Sequence, residues 1–230
     1  MFNNHLGNAF MSSRYDSDLL ALPFYSTHPY MLPFVGRDYE SPKHKKLILV
    51  GESHYLPAKS TIHHNIDAWY AGTIEISETE QDWCNTRNSR QYGYGKFNDQ
   101  IEKDILNFFP SGFAEIASFN YFLRPANETE SFRNICTDID REFAVKNFHN
   151  VLNILSPDLI VFASLYSFDF AEWKDYPKFF GEGLWEYAKR IGIEYIAVKH
   201  PSHGGWGKKV RGEKTSHEMF VEFIKDKWIL

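Results

Sequence analysis

Runs of apolar residues separated by polar, periodic stretches dominate the chain from about residue 43 onward. "KLILV" is an uninterrupted apolar run bounded by charge before it and Gly51 after it, which predicts a buried strand. From Phe97 the spacing changes: Phe97, Ile101, Ile105 and Phe108 recur at intervals of four and three, placing them on one helical face that ends at Pro110 and Gly112. "EIASFNYFL" predicts a second strand. Residues 140–155 then set Phe143, Phe148, Val151, Leu152 and Leu155 along a helical stripe that stops at Ser156-Pro157. "DLIVFAS" predicts a third strand, residues 183–190 a helix stopped by Gly192, and "IEYIAV" a fourth strand. A last helix opens with Thr215 and Glu218 in capping-box spacing and carries Met219, Phe220, Phe223 and Ile224.

Strand and helix alternate four times, and the strands are apolar on both sides. That pattern predicts a parallel sheet covered on both faces, a three-layer α/β/α sandwich with a four-stranded, mainly parallel central sheet, in one domain over residues 1–230. Two stretches resist a period. Residues 1–42 are aromatic-rich and broken by Pro23, Pro29, Pro33 and Pro42, so they read as an irregular arm packed on the domain. Residues 57–95 are polar and end in "QYGYG", which reads as a long loop with room for one helix.

Composition fits a folded protein: 43% hydrophobic and 24% charged residues, with 17% aromatics. The formal net charge of -5 argues against broad electrostatic attachment to nucleic acid. Local basic strips exist at Lys43–Lys46 and at Lys208, Lys209, Arg211 and Lys214. Two cysteines, Cys84 and Cys136, exclude a four-cysteine metal or iron–sulfur site within one chain. The first residues, MFNNHLGNAF, lack the basic start and apolar run of a signal peptide, and no stretch approaches the ~20 apolar residues of a membrane span. A cytoplasmic protein without a membrane partner is the expectation.

In parallel α/β sheets, ligands bind beyond the carboxyl ends of the strands. The strands here exit into Gly51-Glu52-Ser53-His54-Tyr55, Asn120-Tyr121-Phe122-Leu123-Arg124, Ser164-Leu165-Tyr166, and His200-Pro201-Ser202-His203-Gly204. Several chemistry-bearing turns on one rim predict a site there. Bland roles stand beside each candidate: Glu52 as a helix cap, Asn120 closing an Asx-turn, Phe97 as a core ring, Arg124 in an ion pair or on a phosphate. His63, His64 and His217 read as surface residues.

"GESHY", "NYFLRP" and "HPSHGG", in that order and on those strand ends, resemble the motif set of the uracil-DNA glycosylase superfamily: a first motif such as G-Q-D-P-Y or G-E-A-P-G, a central Asn after the second strand, and a late H-P-S or H-P-A. "FNYFLRP" is similar to the N-x-x-x-C-R-P stretch of the iron–sulfur branch, with Leu123 where that branch keeps a cysteine. "SPDLIVFAS" resembles its third-strand segment, and "GKFNDQIEKDIL" its G-x-P-F helix start. The resemblance spans residues 47 to about 205. It implies hydrolysis of an N-glycosidic bond in DNA without a cofactor. Glu52 stands at the acid of G-E-A-P-G, while Ser53 stands where G-Q-D-P-Y has its aspartate. Asn120 matches the residue that reads the flipped base, and His200 the one that hydrogen-bonds its carbonyl as negative charge develops. Phe97 matches the stacking ring. Gly51, His54, Tyr55, Arg124, Ser202 and His203 fall around the expected pocket. Trp206 sits where the family inserts a wedge into DNA, flanked by Lys208, Lys209 and Arg211.

Two alternatives stand beside this. A member of the same fold without the reaction would bind a nucleobase, nucleotide or protein partner, since fold does not fix function. A metal site built from Glu52, His54, His200 and His203 is a third, because imidazole and carboxylate suit zinc or iron. "GESH" also resembles the G-E-x-H turn of erythromycin-esterase-like and haem-binding ChaN-like proteins.

Overall fold

The computed structural model describes residues 10–92, 96–202, 205–211 and 213–230. In chain order the strands are β1 (Phe34–Val35), β2 (Leu47–Gly51), β3 (Tyr55–Leu56), β4 (Ala117–Asn120), β5 (Ala126–Asn127), β6 (Leu159–Phe162), β7 (Glu194–Ala197), β8 (Lys209–Arg211) and β9 (Lys214–Thr215). The principal sheet has five strands in the order β1-β4-β2-β6-β7. β4, β2, β6 and β7 run parallel, and β1 closes one edge antiparallel to β4. The fold is therefore mixed α/β around a mainly parallel sheet, with one strand more than the apolar runs predict. The extra strand is two residues long and comes from the segment read as an irregular arm. Such a piece is too short for a period to mark it, and its pairing with β4 defines it, with Ser12 N–H donating to Val35 O on the other edge.

β2 and β6 are apolar without interruption because both of their faces are buried, whereas β4 carries Ser118 and Asn120 and β7 starts at Glu194. Ile48, Val50, Phe119, Ile160 and Phe162 belong to one core cluster, whereas Leu47, Leu49, Leu159 and Val161 belong to the other. Alternate side chains of one strand point to opposite faces, so β2 and β6 each feed both clusters. The first cluster is completed by Phe148, Val151, Leu152 and Leu155 of the helix Asp138–Leu155, the second by Ile101 and Ile105 of the helix Lys96–Leu106 and by Phe220 of the helix Ser216–Phe223.

Local sequence sets the helix ends. Thr137 and Asp140 form a capping box that starts the long helix, and Ser156 ends it in the left-handed region at φ 45°, just before Pro157. Thr215 and Glu218 form the capping box expected for the last helix. The 57–95 stretch differs from expectation: it folds into the helices Ile66–Ala71, Glu78–Trp83 and Thr86–Gln91. Each is opened by a side chain (Asn65, Ser77, Asn85) that accepts a backbone N–H three residues on. Six-residue helices span under two turns, so no apolar period announces them.

Arg124, placed among the ligand-contact candidates, does not line the cleft described below. Only 2% exposed, it forms a bidentate pair with Asp140, Nε to Oδ1 at 2.7 Å and Nη2 to Oδ2 at 2.6 Å. Its remaining donors reach the carbonyls of His63 and Ile135. Tyr70 donates to Asp140 Oδ1 at 2.8 Å, and the Thr137 cap shares Oδ2. The guanidinium thus ties the segment after β4 to the start of the long helix and to residue 63, a structural role. His63 itself is buried, not a surface residue, with Nε2 3.1 Å from Glu130 Oε2. Among the described residues no helix is long and apolar enough to cross a membrane.

Burial opposes the charge on Asp140, but the hydrogen bonds and charge of Arg124, with the Thr137 cap, outweigh it and hold the carboxyl below its ordinary pKa. Stability from a depressed carboxylate pKa is present above the unfolded value of about 4 and lost as pH falls through the folded value. Asp140→Asn should lower the unfolding free energy by about 3–5 kcal/mol at neutral pH, measured by urea denaturation, because it leaves a buried guanidinium unpaired. The gap between variant and parent should shrink below about pH 4.

Candidate active site

The order β4-β2-β6-β7 sets the four strand exits side by side, so Asn120, Gly51, Ser164 and His200 leave one rim of the sheet. Pairing between the first two continues past the sheet. Tyr121 N–H donates to Gly51 O at 3.1 Å, Phe122 N–H to Glu52 O at 2.9 Å, and Ala126 N–H to His54 O at 3.0 Å. The β3–β5 pair then extends the ladder. "GESHY" is therefore held along its length by the segment after β4.

A cleft of about 1040 Å³ opens at this rim, lined by Glu52, Ser164, Arg133 and Lys199 among others. Beside it lies an inner pocket of about 310 Å³. Ser53, Tyr55, His200 and Ser202 line both. Gly51, His54, Phe97 and Asn120 line the inner pocket alone.

Gly51 and Asn120 are partners across the β2–β4 register. A Cβ built on Gly51 would stand 2.1 Å from Asn120 Oδ1. The Asn120 carboxamide thus fits over the bare backbone of Gly51. Among the described residues, that carboxamide makes no hydrogen bond, so Asn120 closes no Asx-turn and keeps its donors and acceptor uncommitted beside the pocket. Ser53 Oγ is likewise buried without a partner.

His200 Nδ1 lies 2.7 Å from Ser202 Oγ and accepts the Ser202 N–H at 3.3 Å. An accepting Nδ1 places the proton of a neutral ring on Nε2, making that nitrogen a donor. The His200 ring packs on Phe97 with centroids 4.9 Å apart. Phe97 also carries the Arg90 guanidinium 4.7 Å from its centroid, so its ring is a wall of the pocket as well as a neighbour of the second core cluster. His54 Nε2 lies 3.0 Å from Thr86 Oγ1, and burial, helped by the Arg90 charge, pushes its pKa down to about 3. It is neutral at physiological pH.

Glu52 caps no helix directly. Ser164 donates its hydroxyl to Glu52 Oε2 at 2.5 Å while accepting the N–H groups of Tyr166 and Ser167 at the start of the helix Leu165–Phe170. Arg133 Nη2 lies 3.6 Å from the same carboxylate oxygen. The acid is fixed at the boundary of the cleft, one residue from the inner pocket. Tyr55 is exposed at the rim, its pKa raised by burial of part of the ring and by Glu52.

Trp206 corrects an expectation. Only 6% exposed, it packs on Phe220 and His217 with centroids 5.7 and 5.8 Å apart, so it serves the core and offers no wedge to DNA. Lys208 and Lys209 are exposed at the β8–β9 hairpin. His203 and the Arg211 side chain lie outside the described residues. Among the described residues Glu52, His54 and His200 do not converge as metal ligands; the set that does is His63, His64 and Glu130, whose ligand atoms lie within 4.8 Å of one another.

Arg90, Asn98, Thr86 and Trp83, all in the inner pocket, have no sequence signal of their own. Three of them belong to the polar stretch read as a loop. Ser164 and Arg133 became functional candidates only through their contacts with Glu52. Compared with known proteins, the chain matches no family model and no curated protein.

A double-mutant cycle tests the close packing at the pocket floor. Gly51→Ala should destabilise by about 1–3 kcal/mol through overpacking against the Asn120 carboxamide. In an Asn120→Ala background the same change should cost much less, leaving a coupling energy of roughly 1 kcal/mol or more in urea denaturation.

Proposed function

We propose that the chain is an N-glycosyl hydrolase of the uracil-DNA glycosylase-like type, with an α/β/α three-layer arrangement, that removes a damaged or deaminated base from DNA. One observation carries this: the uncommitted carboxamide of Asn120 stands in an inner pocket with His200 and Phe97, beside a carboxylate fixed by Ser164. Asn120 reads the base edge through an amide that both donates and accepts. His200 donates from Nε2 to a base carbonyl as charge develops on the leaving group. Glu52 orients a water toward the sugar carbon, and Ser164 holds its carboxylate in place. Tyr55 and Ser202 shape the entrance, and Lys208 and Lys209 contact phosphates. The reaction needs no cofactor.

A second reading is favoured by the charge of the outer cleft, where Glu52, Glu128, Glu130 and Asp169 face only Arg133 and Lys199 as strong cations among the described lining residues. That rim, together with a buried Trp206, suits a nucleobase-binding protein without cleavage better than a duplex-bending enzyme.

The two separate in one assay. A single-stranded oligonucleotide containing uracil is incubated with the protein and treated with alkali. Hydrolysis predicts strand breaks that fall about 10²–10³-fold in Glu52→Gln and His200→Ala. Binding of the free base without any break, at high protein concentration, would select the second reading.

A further inference from the structure

Charge is divided between the two halves of the site. The outer cleft is rich in carboxylates, but among the described residues no Asp or Glu lines the inner pocket. Arg90 does, only 7% exposed, on the helix Thr86–Gln91. Its Nε donates to Ser118 Oγ at 3.0 Å, and Nη1 donates to Asn98 Oδ1 and, at 3.3 Å, to Ser89 Oγ. Its Cζ lies over the rings of Phe97 and Phe113, 4.7 and 5.7 Å from their centroids.

Every one of these partners is neutral. Among the described residues Arg90 meets no carboxylate, and its Nη2 has no hydrogen-bond acceptor. The contrast with Arg124 is internal to this fold, since that equally buried guanidinium is matched by Asp140 with both oxygens. Burying a cation is costly unless an opposite charge or a full set of acceptors compensates it. Proton loss gives no escape: burial lowers the Arg90 pKa only to about 10, so it stays charged at neutral pH. His54, neutral beside it, adds no second cation. The free polar groups in the same pocket, Ser53 Oγ and the Asn120 carboxamide, are suited to orienting a planar ring, not to neutralising Arg90.

We infer that the inner pocket selects planar nitrogen heterocycles that carry negative charge at neutral pH, such as a carboxylated pyrimidine or an oxidised purine, with Arg90 as the counter-charge. This rests on the base pocket proposed above and adds the charge of its ligand. The pocket volume of about 310 Å³ is at the small end for ligand sites and suits a single heterocycle.

Isothermal titration calorimetry on the full chain at pH 7 tests this with two matched pairs: orotate against uracil, and urate against hypoxanthine. The anionic member of each pair should bind about tenfold or more tightly than the neutral one, the scale of a hydrogen bond to a charged group. Arg90→Lys should retain that preference and Arg90→Met should abolish it. Equal affinities within the pairs would overturn the charge selection while leaving a base pocket. No binding by any of the four would overturn the base pocket, and the inference with it. Should Arg90→Met fail to fold, the ratio within each pair on the unaltered chain still decides.

Discussion

The pairing of β2 with β4 is the constraint on which the site depends. Its register sets Gly51 directly beside Asn120, and only a residue without a side chain leaves room for the carboxamide there. From that point the two segments leave the sheet together, joined by backbone hydrogen bonds through His54. A slip of one residue would turn every side chain of β2 to the opposite face, exchanging the sets that feed the two cores. The buried faces therefore fix the register, and the register fixes the pocket floor.

Around that floor, two buried guanidiniums serve different ends. Arg124 is matched by Asp140 and by carbonyls, and its work is to lock the segment after β4 onto the long helix. Arg90 has neutral partners and stands beside a cavity. Glu52 is kept at the boundary by Ser164, whose hydroxyl also caps the neighbouring helix, so the acid's position is tied to the end of β6. The site thus has Arg90 on its inner side and an acidic entrance.

The parallel strands were legible because burial on both faces leaves a run such as "LILV" or "LIVF" with no polar interruption. The helices at 97–106, 138–155 and 216–223 announced themselves through spacing and capping residues. The rim residues followed from those strands, since a parallel sheet has one productive end. What escaped depends on pairing in space. β1 is two residues whose identity as a strand comes from pairing with β4. The three short helices before residue 92 are set by single capping side chains. Arg90 reads as one more polar residue until Ser118, Asn98 and Phe97 surround it. Trp206 read as an exposed wedge because nothing in "HPSHGGW" shows that Phe220 and His217 cover the indole.

The central claim is that the register of β2 and β4 builds a pocket that receives a heterocyclic base against Asn120. Two-dimensional NMR of the labelled protein, titrated with free base, tests it most directly. The side-chain amide of Asn120 should shift with the amides of Gly51 and Ser53, together with the His200 ring, while resonances around Arg124 and Asp140 stay fixed. Shifts confined to the outer cleft, or to the region of His63 and Glu130, with Asn120 unmoved, would contradict it.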